Sequence, residues 1–377
     1  MQKKNKQDVI YTYTLGLHQN KKKLNEIKKA EVTAMSDEAK KTVEPVVVVM
    51  DLGWGNTKYG YFVNGELIKD VMPSRVVESN DGLELIKIKN TTYDFRSDST
   101  LVEIEDKVTK ETTSHKLLAQ KVLYEVHKKT QAKEFHIMAG CGLDSYIDDK
   151  GDAVKNNLFE KKFKIGAYDE DQVELEMKEM KICPETLSGG TALGLKLKGK
   201  IIILIDIGYL NFSMLEINDM MPQLSKDRVI VTANGMSKLL NDIVKAANNT
   251  TLGKLNITDT ATMDKVVRNI KTYDENIQNL VEAGVEPFLQ RIETELNNHF
   301  YVNEKIDNLV LGFVGGGSNA LESMIRKYFK AKGYEEKLAF GQDLDPIYAN
   351  LEGMGKRAMK EYKSIIFPEK KDKEKSN

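Results

Sequence analysis

A run of mainly β-branched residues at 46–50, followed by a polar loop at 51–58, most constrains the fold of this chain. A continuous apolar run of this length is typical of a strand that is covered on both faces. In the loop, Gly53 and Gly55 allow backbone to approach a ligand closely, an aspartate can orient a hydrated cation, and a lysine offers a point charge to a phosphate. The pattern predicts either a phosphate loop or a polar hairpin turn, because residues 59–63 are also strand-like.

The same design occurs a second time. Apolar residues 201–205 are followed by a loop at 206–213 and then by another alternating strand. Two such hairpins can face one another across a cleft and hold a phosphate chain between them. A glycine cluster at 315–319 also follows an apolar run and leads into a helical pattern at 320–329. Strand, triglycine and helix in this order predict a nucleotide contact, since bare backbone and a helix N-terminus meet an anion or a base there.

The order of these motifs resembles the actin-like ATPase superfamily, and most closely its bacterial plasmid-segregation branch, the ParM-like proteins. The resemblance covers roughly residues 45–367 and includes two connecting segments, at 183–190 and 345–354. An ordered set of motifs is far more specific than any one glycine motif. It implies an α/β fold of the actin-like, ribonuclease H-like duplicated kind, with two domains and a nucleotide cleft between the lobes.

The resemblance also implies a site for ATP or GTP with Mg²⁺. Asp51 and Asp206 are expected to hold the water shell of the Mg²⁺, and Glu185 and Asp206 to be catalytic, with Glu185 positioning or activating the attacking water. Glu185 also fits a helix N-terminal carboxylate that interacts with the macrodipole, and the two roles are compatible. The expected nucleotide-binding residues are Asp51, Gly53, Gly55, Asn56, Thr57, Lys58, Gly208, Asn211, Gly315, Gly316, Gly317 and Ser318.

Both loops depart from the family pattern. Trp54 stands where relatives prefer a small or hydroxyl residue. The second loop lacks the second glycine and the hydroxyl residues of the ParM-like pattern, and Ser213 lies near the place of its acid. Asn211 is the best polar substitute. We expect fewer hydroxyl contacts to phosphate, with more effect on hydrolysis than on binding.

The chain is expected to divide into five parts. These are a charged N-terminal extension at 1–44, a first domain at 45–183 with a small subdomain inserted near 66–115, a second domain at 184–344, a connecting helix at 345–367 that returns to the first domain, and a disordered tail at 368–377. Within the second domain, a helix is predicted at 273–300, and Pro287 is expected to kink or break it.

Composition is that of a soluble globular protein, with 41% hydrophobic and 30% charged residues. The net charge of −1 gives no overall bias toward nucleic acid or an anionic membrane. No stretch reaches the roughly 18 apolar residues of a transmembrane helix, and the N-terminus does not resemble a signal peptide. The two cysteines, Cys141 and Cys183, are too few for a disulfide framework. We therefore expect a cytoplasmic protein without a membrane partner.

The function implied by the resemblance is that of a nucleoside triphosphatase that polymerises with ATP or GTP and hydrolyses it to drive plasmid DNA segregation. Its expected partners are other copies of itself and a DNA-binding adaptor protein bound to a plasmid centromere, without direct nucleic acid binding. The alternatives are a monomeric phosphotransferase or chaperone-like ATPase of the same fold, and a low-turnover cytoskeletal scaffold.

Overall fold

Two β-sheets form the framework of the structure, which is a computed structural model. It describes residues 44–81, 84–95, 110–148, 150–167, 171–193, 200–219, 221–248, 259–302, 308–340 and 346–368. The N-terminal extension predicted at 1–44, apart from Glu44, and the predicted tail, apart from Pro368, lie outside these residues. Within them, one sheet has nine strands and the other six.

The first sheet is built around the apolar strand from which the sequence analysis begins. That strand, β1 (Val46–Leu52), is almost wholly buried; it pairs antiparallel with β2 (Asn56–Val63) and parallel with β7 (Glu134–Cys141). Across the sheet the order is β3 (Glu66–Pro73), β2 (Asn56–Val63), β1 (Val46–Leu52), β7 (Glu134–Cys141), β9 (Val173–Pro184), β8 (Lys162–Gly166), β5 (Leu85–Ile88), β6 (Thr91–Asp94) and β4 (Val77–Glu78).

The second sheet repeats this arrangement. Its central strand, β10 (Ile201–Ile207), is again almost wholly buried; it pairs antiparallel with β11 (Phe212–Asn218) and parallel with β14 (Leu309–Val314). The order is β12 (Met221–Pro222), β11 (Phe212–Asn218), β10 (Ile201–Ile207), β14 (Leu309–Val314) and β15 (Leu338–Ala339), with β13 (Val229–Thr232) paired to β11. Both predicted hairpins are therefore present, and both sheets place a hairpin beside a parallel strand.

Helices cover both sheets. They are α1 (Thr113–Thr130), α2 (Leu143–Ile147), α3 (Gly151–Leu158), α4 (Glu185–Leu193), α5 (Met236–Asn248), α6 (Thr260–Arg268), α7 (Glu275–Phe300), α8 (Gly316–Ala331), α9 (Ala349–Glu361) and α10 (Lys363–Ile366). Short 3-10 helices occupy Lys226–Arg228, Ile270–Thr272, Glu335–Lys337 and Pro346–Tyr348. None of the described helices combines the length and apolar character that a membrane span needs.

Helix α7 does not break at Pro287. It begins at the N-cap Asp274, whose side chain accepts a hydrogen bond from the Ile277 N–H, and it continues through the proline to Phe300. A proline inside a helix removes one backbone hydrogen bond. Phe288 and Leu289 are buried in the core beside the second sheet, and their burial offsets that loss.

Two helices exchange sides between the sheets. Helix α4 follows β9 of the first sheet, yet its Leu187 and Leu193 pack against the second sheet. Helix α9 follows the second sheet in the chain, yet its Leu351 and Met354 pack against the first. The two helices cross so closely that a Cβ on Gly353 would collide with the Ser188 carbonyl. This crossing joins the two halves of the fold, whereas the predicted domain limits stay a prediction.

We expect Gly353→Ala to lower the free energy of unfolding by about 1–3 kcal/mol, because the added methyl group overpacks the crossing of α4 and α9. The matched control is Gly151→Ala at the start of α3, where an added Cβ would meet only an ordinary contact of 3.7 Å to Ile182. That variant should match the wild type or gain up to about 1 kcal/mol. Denaturant unfolding measures both, and equal stability of the two variants would contradict a tight crossing.

Candidate functional site

The ends of three strands meet in a cleft between the two sheets. Loop 1, residues 53–55, joins β1 to β2, and loop 2, residues 208–211, joins β10 to β11. The third contribution is the start of α8, which follows β14. The cleft encloses about 110 Å³. The predicted site residues that line it are Asp51, Gly53, Gly55, Asn56, Lys58, Glu185, Asp206, Gly208, Asn211, Gly315, Gly316 and Gly317.

Two predicted site residues lie behind the loops instead. The Thr57 hydroxyl is buried and shares a 2.8 Å hydrogen bond with the Ser74 hydroxyl. Because side chains alternate along a strand, placing Lys58 in the cleft turns Thr57 to the opposite face. The Ser318 hydroxyl donates to the Val314 carbonyl at 2.6 Å. The structure thus places both hydroxyls as supports of the loops.

Asp51 lies between two ammonium groups, that of the buried Lys110 and that of the partly buried Lys58. Lys58 Nζ donates to Asp51 Oδ2 at 2.9 Å, and Lys110 Nζ lies 3.5 Å from Asp51 Oδ1. Burial opposes ionisation of Asp51, but the two lysines outweigh it and hold the pKa of this carboxyl below its usual value. Burial, together with repulsion from Lys58, lowers the pKa of Lys110. The three charges fix one another at the floor of the cleft.

Glu185 is the first residue of α4 and turns its carboxylate into the cleft. Its Oε1 accepts a hydrogen bond from Lys110 Nζ. A Cβ on Gly140 would lie 2.7 Å from Glu185 Oε1, so the glycine at the end of β7 makes room for this side chain. A carboxylate at the start of a helix also interacts favourably with the macrodipole. Both roles considered for Glu185 are therefore compatible with its position.

Asp206 is held by a residue from the opposite half of the fold. Asn350, at the start of α9, donates from Nδ2 to Asp206 Oδ2 at 2.9 Å and accepts at Oδ1 from the Gly189 N–H at 3.0 Å. Burial raises the pKa of Asp206, and repulsion by Asp51 adds to this effect. Gly315 has φ of +89°, and a Cβ there would collide with Asp206 Oδ1. Glycine at this position therefore lets β14 turn beside the carboxylate.

Backbone hydrogen bonds fix loop 2 against the start of α5. The Gly208 N–H donates to the Asn211 carbonyl at 2.9 Å, and the Met236 N–H donates to the Gly208 carbonyl at 3.0 Å. A Cβ on Gly235 would lie 2.5 Å from the backbone nitrogen of Asn211. The Ser213 hydroxyl shares a 2.6 Å hydrogen bond with the hydroxyl of Thr186 in α4. These contacts fix loop 2 in place, and the Gly208 N–H and the Ser213 hydroxyl already have partners within the protein.

Aromatic side chains narrow the cleft. A Cβ on Gly55 would lie 3.2 Å from Cγ of Tyr209, so loop 1 and loop 2 touch across it. Trp54 packs edge-on against the buried ring of His115, with 4.5 Å between ring centroids. Burial and the charge of Lys110 lower the pKa of His115 to about 3, which keeps the imidazole neutral at ordinary pH.

Three residues that line the cleft are not among the predicted site residues. Lys110 lies in a polar stretch of the sequence without a recognisable motif. Arg268 is the last residue of α6, and Asn350 lies inside the connecting segment at 345–354. Arg268 lies close to the glycine cluster, where its Nη1 is 3.4 Å from the Gly316 carbonyl. A polar residue on the otherwise apolar face of α9 marks Asn350 weakly. Nothing local marks the other two, because their roles depend on tertiary contacts.

The carboxylates of Asp51 and Asp206 would suit a magnesium ion that is bound together with a phosphate ligand. Among the described residues there is no group of three or more His, Cys, Asp or Glu side chains placed to hold a metal ion. Mg²⁺ commonly binds through one or two carboxylates together with waters and substrate phosphates, and Asp51 and Asp206 supply two carboxylates from two strand ends. Mutual repulsion between these two carboxylates is a further feature that a cation would relieve.

No protein-family model matches the sequence, and no curated protein matches it. The fold is similar to that of solved actin homologs. The archaeal actin homolog Ta0583 in complex with ADP has a TM-score of 0.66 and 16% identity, covering 84% of this chain and 99% of that chain. The Alp12 filament structure has a TM-score of 0.59 and 16% identity, covering 85% of this chain and 99% of that chain. Bacillus thuringiensis ParM with ATP has a TM-score of 0.58 and 13% identity, covering 85% of this chain and 99% of that chain.

These similarities confirm the predicted actin-like α/β fold with two lobes and a cleft between them. They also agree with the repeated pattern of hairpin and parallel strand in the two sheets. At identities of 13–17% they show the fold and leave the roles of individual residues as predictions.

We expect Asn350→Ala to lower the free energy of unfolding by about 1–3 kcal/mol, because it removes the amide that donates to the buried Asp206 carboxylate and accepts from the Gly189 N–H. Asn298→Ala, at an exposed position of α7, is the matched control and should change stability by less than about 0.5 kcal/mol. Thermal and denaturant unfolding provide the comparison. If Asn350→Ala is as stable as the wild type, this prediction is wrong, and water replaces the amide without loss of stability.

Proposed function

We propose that this chain is an actin-like nucleoside triphosphatase. In this proposal it binds ATP or GTP with Mg²⁺ in the cleft, polymerises in the nucleotide-bound state, and uses hydrolysis to disassemble filaments that segregate plasmid DNA. The observation that carries the proposal is the meeting of two strand-end carboxylates, Asp51 and Asp206, with Lys58 and Glu185 in one cleft. Two opposed hairpins that deliver these groups suit a phosphate chain between two lobes.

Binding in this proposal requires the lobes to separate slightly. The cleft encloses about 110 Å³, whereas ligand pockets usually measure about 300–1,000 Å³. The contact between Tyr209 and Gly55 is the part of the cleft where the two loops touch. Lys58 would then pair with phosphate oxygens, and the glycines of loop 1 and of residues 315–317 would allow backbone to approach them.

Hydrolysis requires neutralised phosphate charge and a water in line with the leaving group. Mg²⁺ beside the phosphates would neutralise part of their negative charge, and Asp51 and Asp206 would hold its water shell. Glu185 would accept a hydrogen bond from the attacking water and so orient it. Its position at the start of α4, which packs on the second sheet, fixes this carboxylate to the lobe that carries Asp206.

Self-association is proposed from the likeness to the Alp12 filament structure. A DNA-binding adaptor bound to a plasmid centromere is the proposed link to DNA. The net charge of −1 supports an indirect contact with nucleic acid.

A low-turnover scaffold is the second candidate, and loop 2 favours it. The Gly208 N–H and the Ser213 hydroxyl already have partners within the protein. Fewer donors for the transferred phosphate would slow hydrolysis more than binding. Phosphate release distinguishes this candidate from a dynamic filament.

Right-angle light scattering of the full chain, with phosphate release followed in parallel, tests the proposal. On addition of Mg²⁺ with ATP or GTP we expect scattering to rise and then to decay as phosphate appears. Omission of Mg²⁺ is the control and should abolish both signals. A stable rise without phosphate would indicate the scaffold. Bound nucleotide without any rise would contradict filament formation and favour a monomeric enzyme.

We expect Glu185→Gln to slow phosphate release about 100-fold or more and to prolong the polymer, because the neutral amide no longer orients the water as a carboxylate does. Nucleotide-triggered assembly should persist. Glu179→Gln, at an exposed position of β9, is the matched control and should hydrolyse nucleotide like the wild type. Normal turnover in Glu185→Gln would remove this residue from the catalytic assignment.

A further inference from the structure

Lys110 is a buried amine in the cleft that the proposed phosphate and magnesium contacts do not use. Its side chain is only 5% exposed, and it lines the cleft together with Lys58 and Glu185. Its ammonium donates to Glu185 Oε1 and lies 3.5 Å from Asp51 Oδ1. An ammonium group has three N–H donors, so these two carboxylates leave one for a further anion.

We propose that Lys110 binds the terminal phosphate of a nucleoside triphosphate and makes the cleft discriminate triphosphate from diphosphate. This inference rests on the proposed nucleotide function and adds a specificity-determining residue to it.

The contact with Glu185 places Lys110 at the terminal phosphate. In the proposed reaction Glu185 orients the attacking water, which lies on the side of the terminal phosphorus opposite the leaving group. A lysine that touches the same carboxylate lies at that end of the phosphate chain. Lys58 contacts the other oxygen of Asp51, so the two ammonium groups bracket this carboxylate from two sides.

The backbone at Lys110 is held firmly, as a binding residue requires. Asn157 of α3 donates from Nδ2 to the Lys110 carbonyl at 3.2 Å and to the Thr112 carbonyl at 2.9 Å. Thr112 in turn caps α1 by accepting a hydrogen bond from the His115 N–H. The amine is therefore presented from backbone that is fixed just before the N-cap of an 18-residue helix.

Lys110 also supplies what the two loops lack. Trp54 stands in loop 1 where the ParM-like pattern has a small or hydroxyl residue, and the Ser213 hydroxyl is engaged with Thr186. A second lysine replaces these missing donors with a charge-assisted contact, which is stronger than a neutral hydrogen bond. The alternative is a purely structural ion pair that anchors α4, and the two roles differ in their effect on diphosphate binding.

Isothermal titration calorimetry of the full chain tests the inference with Mg²⁺ and the non-hydrolysable imido analogues of ATP and GTP, compared with ADP and GDP. Lys110→Met should weaken the triphosphate analogue about 10–100-fold, as loss of a charged hydrogen bond predicts, and the diphosphate less than about threefold. Lys110→Arg should recover part of the triphosphate affinity. Lys116→Met, on the outer side of α1 where the lysine pairs with Glu160, is the control and should match the wild type.

An unchanged affinity ratio in Lys110→Met would overturn the inference, whether both nucleotides bind normally or both weaken equally. Wild-type protein that binds no nucleotide would instead overturn the proposed function, and the inference with it. If circular dichroism shows that Lys110→Met does not fold, the double variant Lys110→Met/Glu185→Gln removes both charges of the pair. Its affinity ratio, compared with that of Glu185→Gln alone, should show the same selective loss of triphosphate.

Discussion

The cleft depends on the crossing of α4 and α9. Each helix leaves one sheet and packs on the other, so neither half of the fold is complete without the exchanged helix. The crossing is close because Gly353 carries no side chain against Ser188. One amide, Asn350, then connects the backbone of α4 to the carboxylate of Asp206. The same contact that joins the lobes therefore sets where Glu185 and Asp206 stand relative to each other.

Electrostatics at the floor of the cleft follows from this geometry. Buried charges are stable only when they are paired and hydrogen-bonded. Asp51 meets this condition with two lysines, whereas Asp206 has an uncharged amide and its pKa is raised by burial. The two strand-end carboxylates thus differ in character although they occupy equivalent positions in the two sheets. Asp51 is kept charged by the two lysines, whereas burial favours the neutral form of Asp206.

Sequence alone predicted the two central strands, both hairpins and the glycine cluster, because each depends on local pattern: a buried apolar run, a polar turn, and glycines between an apolar run and a helical pattern. It missed Lys110, Arg268 and Asn350, whose partners lie far away in the chain. Thr57 could have been placed correctly, since strand alternation sets it opposite Lys58. The continuity of α7 through Pro287 could not be predicted from the sequence, because it depends on burial in the core beside the second sheet.

Lys110 and the two loops that depart from the ParM-like pattern line the same cleft. Polar groups in and next to loop 2 are engaged within the protein, through backbone bonds to the start of α5 and through the Ser213–Thr186 pair. The loop is fixed in place as a result, but it offers less charge stabilisation. Two lysines beside Asp51 supply charge from the first lobe instead. In the proposed nucleotide site, phosphate would therefore be recognised more by ammonium groups than by hydroxyl and amide donors. A lysine contact lacks the directional geometry of a fixed backbone amide, so such a site would favour binding of a phosphate chain over close control of the transition state.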